Sequence, residues 1–418
     1  MRILWVKVGG LWPLNAGGRL RSFHIISELS RRHRVTLLTT HGLADDPEGL
    51  AAALPRCEAV ESFPTRIAKH GSARFVTALL RSWLSPLPVD LWKSRVALLQ
   101  REASRLATAG QIDLCVADFL AAAPNTPFGG AVPTILFTHN VEHMIWKRLS
   151  DTERHPLRRA LLEIEWRKMR RYEGMACGAA DLTLAVSEVD RAMLAALEPQ
   201  SRVRAIPTGV DVDYWCSDGR PEAPASLVFT GSMDWYPNED AVLYFADTIL
   251  PRIRRDVPDV SLTVVGRNPT LRLRRLGEQA GVRVTGTVDD VRPHVASAAV
   301  CVVPLRVGGG TRLKIFEALS MGKAVVSTSI GAEGLPVESG EHAVIADDPA
   351  DFASVVVRLL RRPDERRRLG SAGRRLVEER YSWHEVARRF ETYCEDAVTI
   401  GRPAASLGRV LEPSRTSR

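Results

Sequence analysis

The sequence is poor in cysteine, and its six are scattered: Cys57, Cys115, Cys177, Cys216, Cys301 and Cys394. They form no CxxC pair, so their spacing shows neither a zinc site nor a disulfide framework. Buried or neutral thiols in a reducing cytoplasm are the expectation. Acids are short relative to bases: 49 Asp and Glu face 57 Lys and Arg, for a formal charge of +8. Such a surplus favours a phosphorylated ligand, anionic lipid or nucleic acid. No recognised nucleic-acid motif accompanies it, so nucleic acid is not an expected partner. Long apolar runs are missing too. Met1–Val8 is interrupted by Lys7 and is too short to span a bilayer, and no convincing signal-peptide cleavage region follows it. The expected location is cytoplasmic, with any membrane contact made peripherally on the inner face. The GxGxxG of a dinucleotide-binding enzyme is also absent. Neither Val8-Gly9-Gly10 nor Gly17-Gly18 has its spacing, which argues against a dinucleotide-dependent oxidoreductase.

What is present fits a soluble chain of two ordinary domains: 418 residues, 45% hydrophobic and 25% charged. Ile3–Val8 reads as a strand and a loop with Pro13, Gly17 and Gly18 follows. Leu20, Phe23, Ile26 and Leu29 mark a helix by their three- and four-residue steps. Val35–Thr39 is the next strand, which completes a βαβ unit. Residues 67–107 read as largely helical. Ile112–Ala117 and Thr134–Thr138 read as strands, Trp146–Met175 as one long basic helix, and Leu182–Val186 and Arg204–Pro207 as short buried strands. A second series starts at Leu227–Thr230. It continues with a helix after Asn238 carrying Val242, Phe245, Ile249 and Ile253. Strands are expected at Leu262–Val265, Val282–Thr285, Val300–Pro304 and Ala324–Ser327. The fold class is therefore α/β, with two Rossmann-like parallel-sheet domains facing a central cleft.

The most informative stretch runs from Val303 to Gly322 and reads as strand, glycine loop and helix. Gly308, Gly309 and Gly310 let backbone approach a ligand. A helix start offers free N–H groups and a positive dipole end to phosphate. Arg312 and Lys314 add full charge, Arg as a fork and Lys as a point charge. Glu317, further into the helix, can accept hydrogen bonds from two neighbouring hydroxyls, as a ribose presents. The ordinary alternative is a solvated face with Lys314 and Glu317 paired at i,i+3.

Taken together, these pieces resemble the retaining glycosyltransferases of family 4, with the GT-B fold. The resemblance covers most of the chain. It rests on Pro13…Gly17-Gly18, Phe137-Thr138-His139-Asn140, Ala185-Val186-Ser187-Glu188 and Ile206–Asp211. Phe229-Thr230-Gly231-Ser232, Val264-Val265-Gly266-Arg267 and Gly309…Glu317–Gly322 complete it, the last resembling the family's E-x7-E motif. The resemblance implies that Glu317 binds the donor ribose and that Gly309, Gly310 and Thr311 bring backbone to the sugar or diphosphate. It sets Gly231, Ser232, Arg267 and Thr287 on the donor side and Gly17 and Gly18 at the diphosphate and acceptor loop. His139 would lie near the transferred sugar, orienting it or backing the anomeric carbon. Glu142 and His143, next in sequence, fit acceptor contact or helix capping equally.

The family uses no metal, and the nucleotide-sugar is substrate rather than cofactor. Protein cations must then stabilise the leaving diphosphate. Two departures stand out. Gly309 replaces the first glutamate of E-x7-E. The stretch Gly231–Asn238 lacks the Arg and Lys that the family often carries there, so Arg312 and Lys314 are expected to supply that charge, with His139 as the third catalytic candidate.

Two basic, tryptophan-bearing stretches, Arg66–Arg105 and Trp146–Arg171, suit either an anionic membrane surface or ordinary packing on the N-terminal sheet. The expected domains are 1–206, joined by a helix at 384–398 that crosses back, and 207–383, followed by a loose tail at 401–418. The expected reaction moves a sugar with retention to a hydroxyl of a glycan or lipid-linked acceptor in cell-envelope assembly. The rival is a nucleotide-sugar-binding scaffold with a decayed catalytic site.

Overall fold

The computed structural model describes residues 1–14, 17–65, 73–307 and 313–401. These form two compact units. The first is Met1–Pro207 together with the chain from Val386 on, and the second is Thr208–Glu385.

The first unit holds a seven-stranded sheet of β1 (Arg2–Lys7), β2 (Arg34–His41), β3 (Ala59–Pro64), β4 (Leu114–Asp118), β5 (Thr134–Phe137), β6 (Leu182–Ala185) and β7 (Val203–Ala205). Its order is β3-β2-β1-β4-β5-β6-β7, and every pairing is parallel. Parallel strands need helices on both faces, so they read as continuous apolar runs. Leu4, Val6, Leu38, Cys115, Ala117 and Leu136 form such a core. On the opposite face the helix Trp383–Ile400 supplies part of the packing, because the Phe390 ring lies 5.4 Å from Trp5 and 5.2 Å from Phe137. Arg32 and His33 both bond to Glu391 on the same helix.

The second unit holds β8 (Ser226–Thr230), β9 (Ser261–Val265), β10 (Val282–Val284), β11 (Val300–Val303), β12 (Ala324–Ser327) and β13 (Val344–Ile345). The order is β10-β9-β8-β11-β12-β13, again parallel throughout. Chain order reverses once in each sheet, between β1 and β4 in the first and between β8 and β11 in the second. Loops part at such a point and leave a crevice at the carboxyl ends of the strands, where ligands of open α/β sheets bind.

Three expectations change. The helix expected over Trp146–Met175 is two helices, Glu142–Thr152 and Pro156–Ala179. Pro156 cannot continue a helix but suits the first turn of a new one. Trp146, expected as an aromatic anchor, is buried in the core instead. The helix expected after Asn238 begins earlier, at Tyr236, which places Asn238 inside its first turn. It continues through a widened π turn at Phe245–Ile249 into Leu250–Asp256.

Candidate active site

At the switch point of the first sheet, charged groups close on one another below the strand ends. Asp118, the last residue of β4, is fully buried, and its two oxygens serve different partners. Oδ2 accepts from Lys7 Nζ at 3.1 Å and from Trp5 Nε1 at 3.0 Å. Oδ1 meets His139 Nε2 at 2.8 Å. The other imidazole nitrogen, Nδ1, lies 2.9 Å from Arg21 Nη1, on the helix Gly17–Leu29. A guanidinium only donates and a carboxylate only accepts. His139 is therefore neutral, with its proton on Nε2.

Burial pushes the His139 imidazole down to about 3, against the pull of Asp118. Burial alone would raise the Asp118 carboxyl, but Lys7 and His139 outweigh it and hold it well below the carboxylate range. Burial also lowers the Lys7 ammonium and brings Arg21 down to about 10. The ion pair of this cluster is thus Lys7–Asp118, with His139 as an uncharged spacer between Asp118 and Arg21.

The ring of Phe119 stacks on His139 with centroids 3.7 Å apart and planes 12° from parallel. Phe119 sits at φ 69°, a left-handed conformation rare for a bulky residue. Gly18 makes room for it, since a Cβ there would fall 2.5 Å from the Phe119 ring. Gly17 is exposed at the first position of the same helix.

His139, expected to orient the transferred sugar or back the anomeric carbon, is buried here. A ring with both nitrogens engaged and both faces against protein holds geometry and does not move protons. Among the neighbours expected from sequence, His143 donates to Glu173 at 2.7 Å, and the same carboxylate caps the backbone N–H groups of Glu142 and His143. Glu173 is thus the group that caps this helix, and the His143 ring holds its carboxylate in place.

The second candidate region lies at the switch point of the second sheet. Gly231 and Ser232 follow β8, Gly266 and Arg267 follow β9, and the helix Leu313–Ser320 follows β11. Arg267 Nε donates to Ser232 Oγ at 2.8 Å, and Ser232 Oγ donates to Asp234 Oδ1 at 2.6 Å. Asn268 Nδ2 reaches the other oxygen of Asp234 at 3.0 Å, so the two loops are laced together. Lys314 Nζ donates to Asn238 Oδ1 at 2.7 Å and lies 4.1 Å from the centre of the Phe229 ring.

Glu317, one turn on, faces a small cavity shared with Trp215, Val228, Val302 and Lys314. Its side chain keeps partial exposure there but is enclosed by protein. Burial raises its carboxyl to about 7, with Lys314 pulling the other way. Lys314 and Glu317, which the ordinary alternative put on a solvated face, instead line one small cavity, both half-buried.

The structure brings Gly231, Ser232, Arg267, Lys314 and Glu317 to one end of one sheet. Thr287 stands apart, exposed beyond β10 in a surface cavity with Asn268 and Pro269. Gly309, Gly310, Thr311 and Arg312 lie outside the described residues. Sequence reasoning passed over Lys7, Arg21, Asp118 and Asn238. Asp118 ends an apolar strand as His139 does, and that signal was available. Among the described residues, no group of three or more His, Cys, Asp or Glu side chains could hold a metal ion.

Two parallel-sheet units in tandem, with polar clusters at their strand ends, define the GT-B class of protein. Residues 17–214 match the family model described as "Glycosyltransferase Family 4", and residues 224–362 the model "Glycosyl transferases group 1". The chain belongs to the GT-B glycosyltransferase family. A phosphatidyl-myo-inositol mannosyltransferase of Mycobacterium leprae is 34% identical over 209 residues, covering 47% of this chain and 54% of that protein. The match thus spans about half the length of that relative. A GDP-mannose-dependent alpha-(1-6)-phosphatidylinositol monomannoside mannosyltransferase of Mycobacterium tuberculosis is 27% identical over 295 residues, 64% of this chain and 74% of that one. Among solved structures, Anabaena Alr3699/HepE in complex with UDP superposes with a TM-score of 0.62 at 14% identity. It covers 95% of this chain and 100% of that one. That likeness is one of fold.

Proposed function

We propose that this chain transfers a sugar from a nucleotide-sugar to a hydroxyl of a glycan or lipid-linked acceptor, with retention at the anomeric carbon. The bond from the anomeric carbon to the diphosphate oxygen breaks, the acceptor oxygen takes its place on the same face, and the acceptor proton leaves with the diphosphate. The nucleotide-sugar is a substrate, and no metal or other cofactor enters this reading. The carrying observation is the convergence of Gly231, Ser232, Arg267, Lys314 and Glu317 at the strand ends of one sheet. A cation and a carboxylate one turn apart match the two ends of a ribose diphosphate. Lys314 and Arg312 take the developing negative charge, and Glu317 takes the ribose hydroxyls. His139 acts here as a buried support, with Gly17 and Gly18 at the start of the helix Gly17–Leu29.

The test is binding of UDP, GDP and ADP, followed by turnover of the matching nucleotide-sugars. A chain that binds none of the three nucleotides overturns the reading. A chain that binds one but turns over no donor is the scaffold. The pH dependence adds a sharper prediction. The Glu317 carboxyl, raised to about 7, must ionise to accept two hydroxyl protons. Nucleotide affinity is therefore expected to rise by roughly tenfold between pH 6 and pH 8, as the ionised fraction grows. In Glu317→Gln that component should vanish while the nucleotide's own phosphate titration stays.

A specific surface supports a membrane-adjacent site of action. Leu157, Leu161 and Ile164 are exposed on the helix Pro156–Ala179, and Trp83 and Leu84 are exposed beside it. Trp83, Leu161 and Ile164 share a groove with Arg167, Lys168 and Arg171. Apolar anchors rimmed by cations suit an anionic bilayer surface, where each cation contributes about 1 kcal/mol. No helix among the described residues is long and apolar enough to cross a membrane. Flotation with vesicles containing phosphatidylglycerol is expected to carry the protein at low salt, and Leu161→Glu/Ile164→Glu to prevent it. Equal flotation with and without anionic lipid removes this surface from the reading.

A further inference from the structure

We propose that Asn238 is the positioning residue of the donor site: it aims the Lys314 ammonium at the diphosphate over the end of β8 without cancelling its charge. This rests on the donor-site reading above and adds to it a residue on a different strand-to-helix turn.

The geometry fixes Asn238 from both sides. It is buried, 3% exposed, in the first turn of the helix Tyr236–Tyr244. Its Oδ1 accepts from Lys314 Nζ at 2.7 Å, and its Nδ2 donates to the Ser232 carbonyl at 2.8 Å. An ammonium only donates and a carbonyl only accepts, so the amide can face only one way. The Phe229 ring beneath the ammonium adds a cation–π contact at 4.1 Å. Gly231 keeps the space between them open: a Cβ there would come within 2.6 Å of Asn238 Nδ2 and 3.0 Å of Lys314 Nζ.

A free lysine gives up rotamer entropy when it grips a ligand. Here most of that ordering is done before any ligand arrives, which is the preorganisation an electrostatic site requires. The chemistry of the holder matters equally. A carboxylate at this position would hold the ammonium as well but would neutralise it. Asn is the isosteric group that restrains a cation and leaves its full charge for an anion. The stretch Gly231–Asn238 carries no Arg or Lys of its own. It contributes to the site by borrowing the charge of Lys314 from the next strand-to-helix turn.

The experiment compares wild type, Asn238→Asp, Asn238→Ser, Lys314→Ala and the double variant Asn238→Asp/Lys314→Ala. Calorimetry gives the affinities for GDP and GMP, and for UDP and UMP, so that the extra phosphate is read as a ratio. Asn238→Asp is expected to weaken the diphosphate by about tenfold or more, the scale of one charge-assisted hydrogen bond. The monophosphate should change less. Asn238→Ser should fall between Asn238→Asp and wild type. The double variant should bind the diphosphate more weakly than Lys314→Ala, because its carboxylate then faces the anion with no ammonium to neutralise it. Melting temperatures near wild type would exclude a folding effect, and Asn238→Ser keeps the test open if the aspartate variant fails to fold. An unchanged diphosphate-to-monophosphate ratio in Asn238→Asp, with a reduced ratio in Lys314→Ala, overturns this inference and leaves the donor reading intact. A wild-type protein that binds none of GDP, UDP and ADP overturns both.

Discussion

Lys314→Ala is expected to lower kcat/KM for the nucleotide-sugar by about 10²–10³-fold, the usual loss when one preorganised electrostatic donor is removed. Its amine sits in hydrogen-bond contact with Asn238 and over Phe229. If the ammonium acts mainly on the leaving diphosphate, kcat falls further than KM rises. Lys314→Arg should recover only part of the loss, because a forked guanidinium does not reproduce a point charge held between an amide and a ring. Steady-state kinetics with the donor found by nucleotide binding check this. Wild-type kcat in Lys314→Ala would remove the residue from the chemical step.

Asp118→Asn is expected to cost about 3–5 kcal/mol of stability in the first unit, because it leaves the buried Lys7 ammonium without its counter-charge. For a unit of this size the melting temperature should drop by roughly 10 °C. Adding Lys7→Met should return a sizeable part of that loss, since removing both charges relieves the stranded one. The acid dependence has a definite sign. The folded-state values of Asp118 and His139 both lie below their ordinary values. Their contribution is therefore complete above the ordinary histidine value near 6.5. The His139 part is lost as pH falls from there toward about 3, and the Asp118 part at lower pH still. Chemical denaturation at several pH values should show this slope, and His139→Gln should flatten it between pH 6 and 4. Full wild-type stability in Asp118→Asn would mean that the ion pair contributes nothing net.

Much of the fold was legible because parallel strands are short apolar runs with glycine or polar ends. Phe229-Thr230-Gly231-Ser232 and Val264-Val265-Gly266-Arg267 announce both a strand and the loop that faces a ligand. β3 was not legible: Ala59–Pro64 carries Glu61 and Pro64 and lies at a sheet edge, where half-exposed positions dilute the apolar signal. β13 has only two residues, too few for any period. The break at Pro156 could have been seen, since proline inside a helical pattern signals a new start.

The donor cluster was half visible. Lys314 and Glu317 stand out on their own helix, but Asn238 gains meaning only from an amine 76 residues away in sequence. In the first unit, His139 drew notice as a polar residue closing an apolar strand. Asp118, closing the neighbouring strand, carries the same signal. It shows its weight only when Lys7, from the far end of the domain's sequence, is folded against it.

The return of Phe390 to the ring cluster of Trp5 and Phe137 bears on how the molecule is made. Residues Met1–Pro207 leave the ribosome well before Phe390, a core side chain of the same unit, is translated. At about 5–20 residues per second, the wait between Pro207 and Phe390 is roughly 10–40 s. Through that interval Trp5 and Phe137 lack the cover that Phe390 provides. A gene cut after Pro207 would extend the wait indefinitely. The first sheet is thus begun by the codons of β1 and closed by those of the helix Trp383–Ile400.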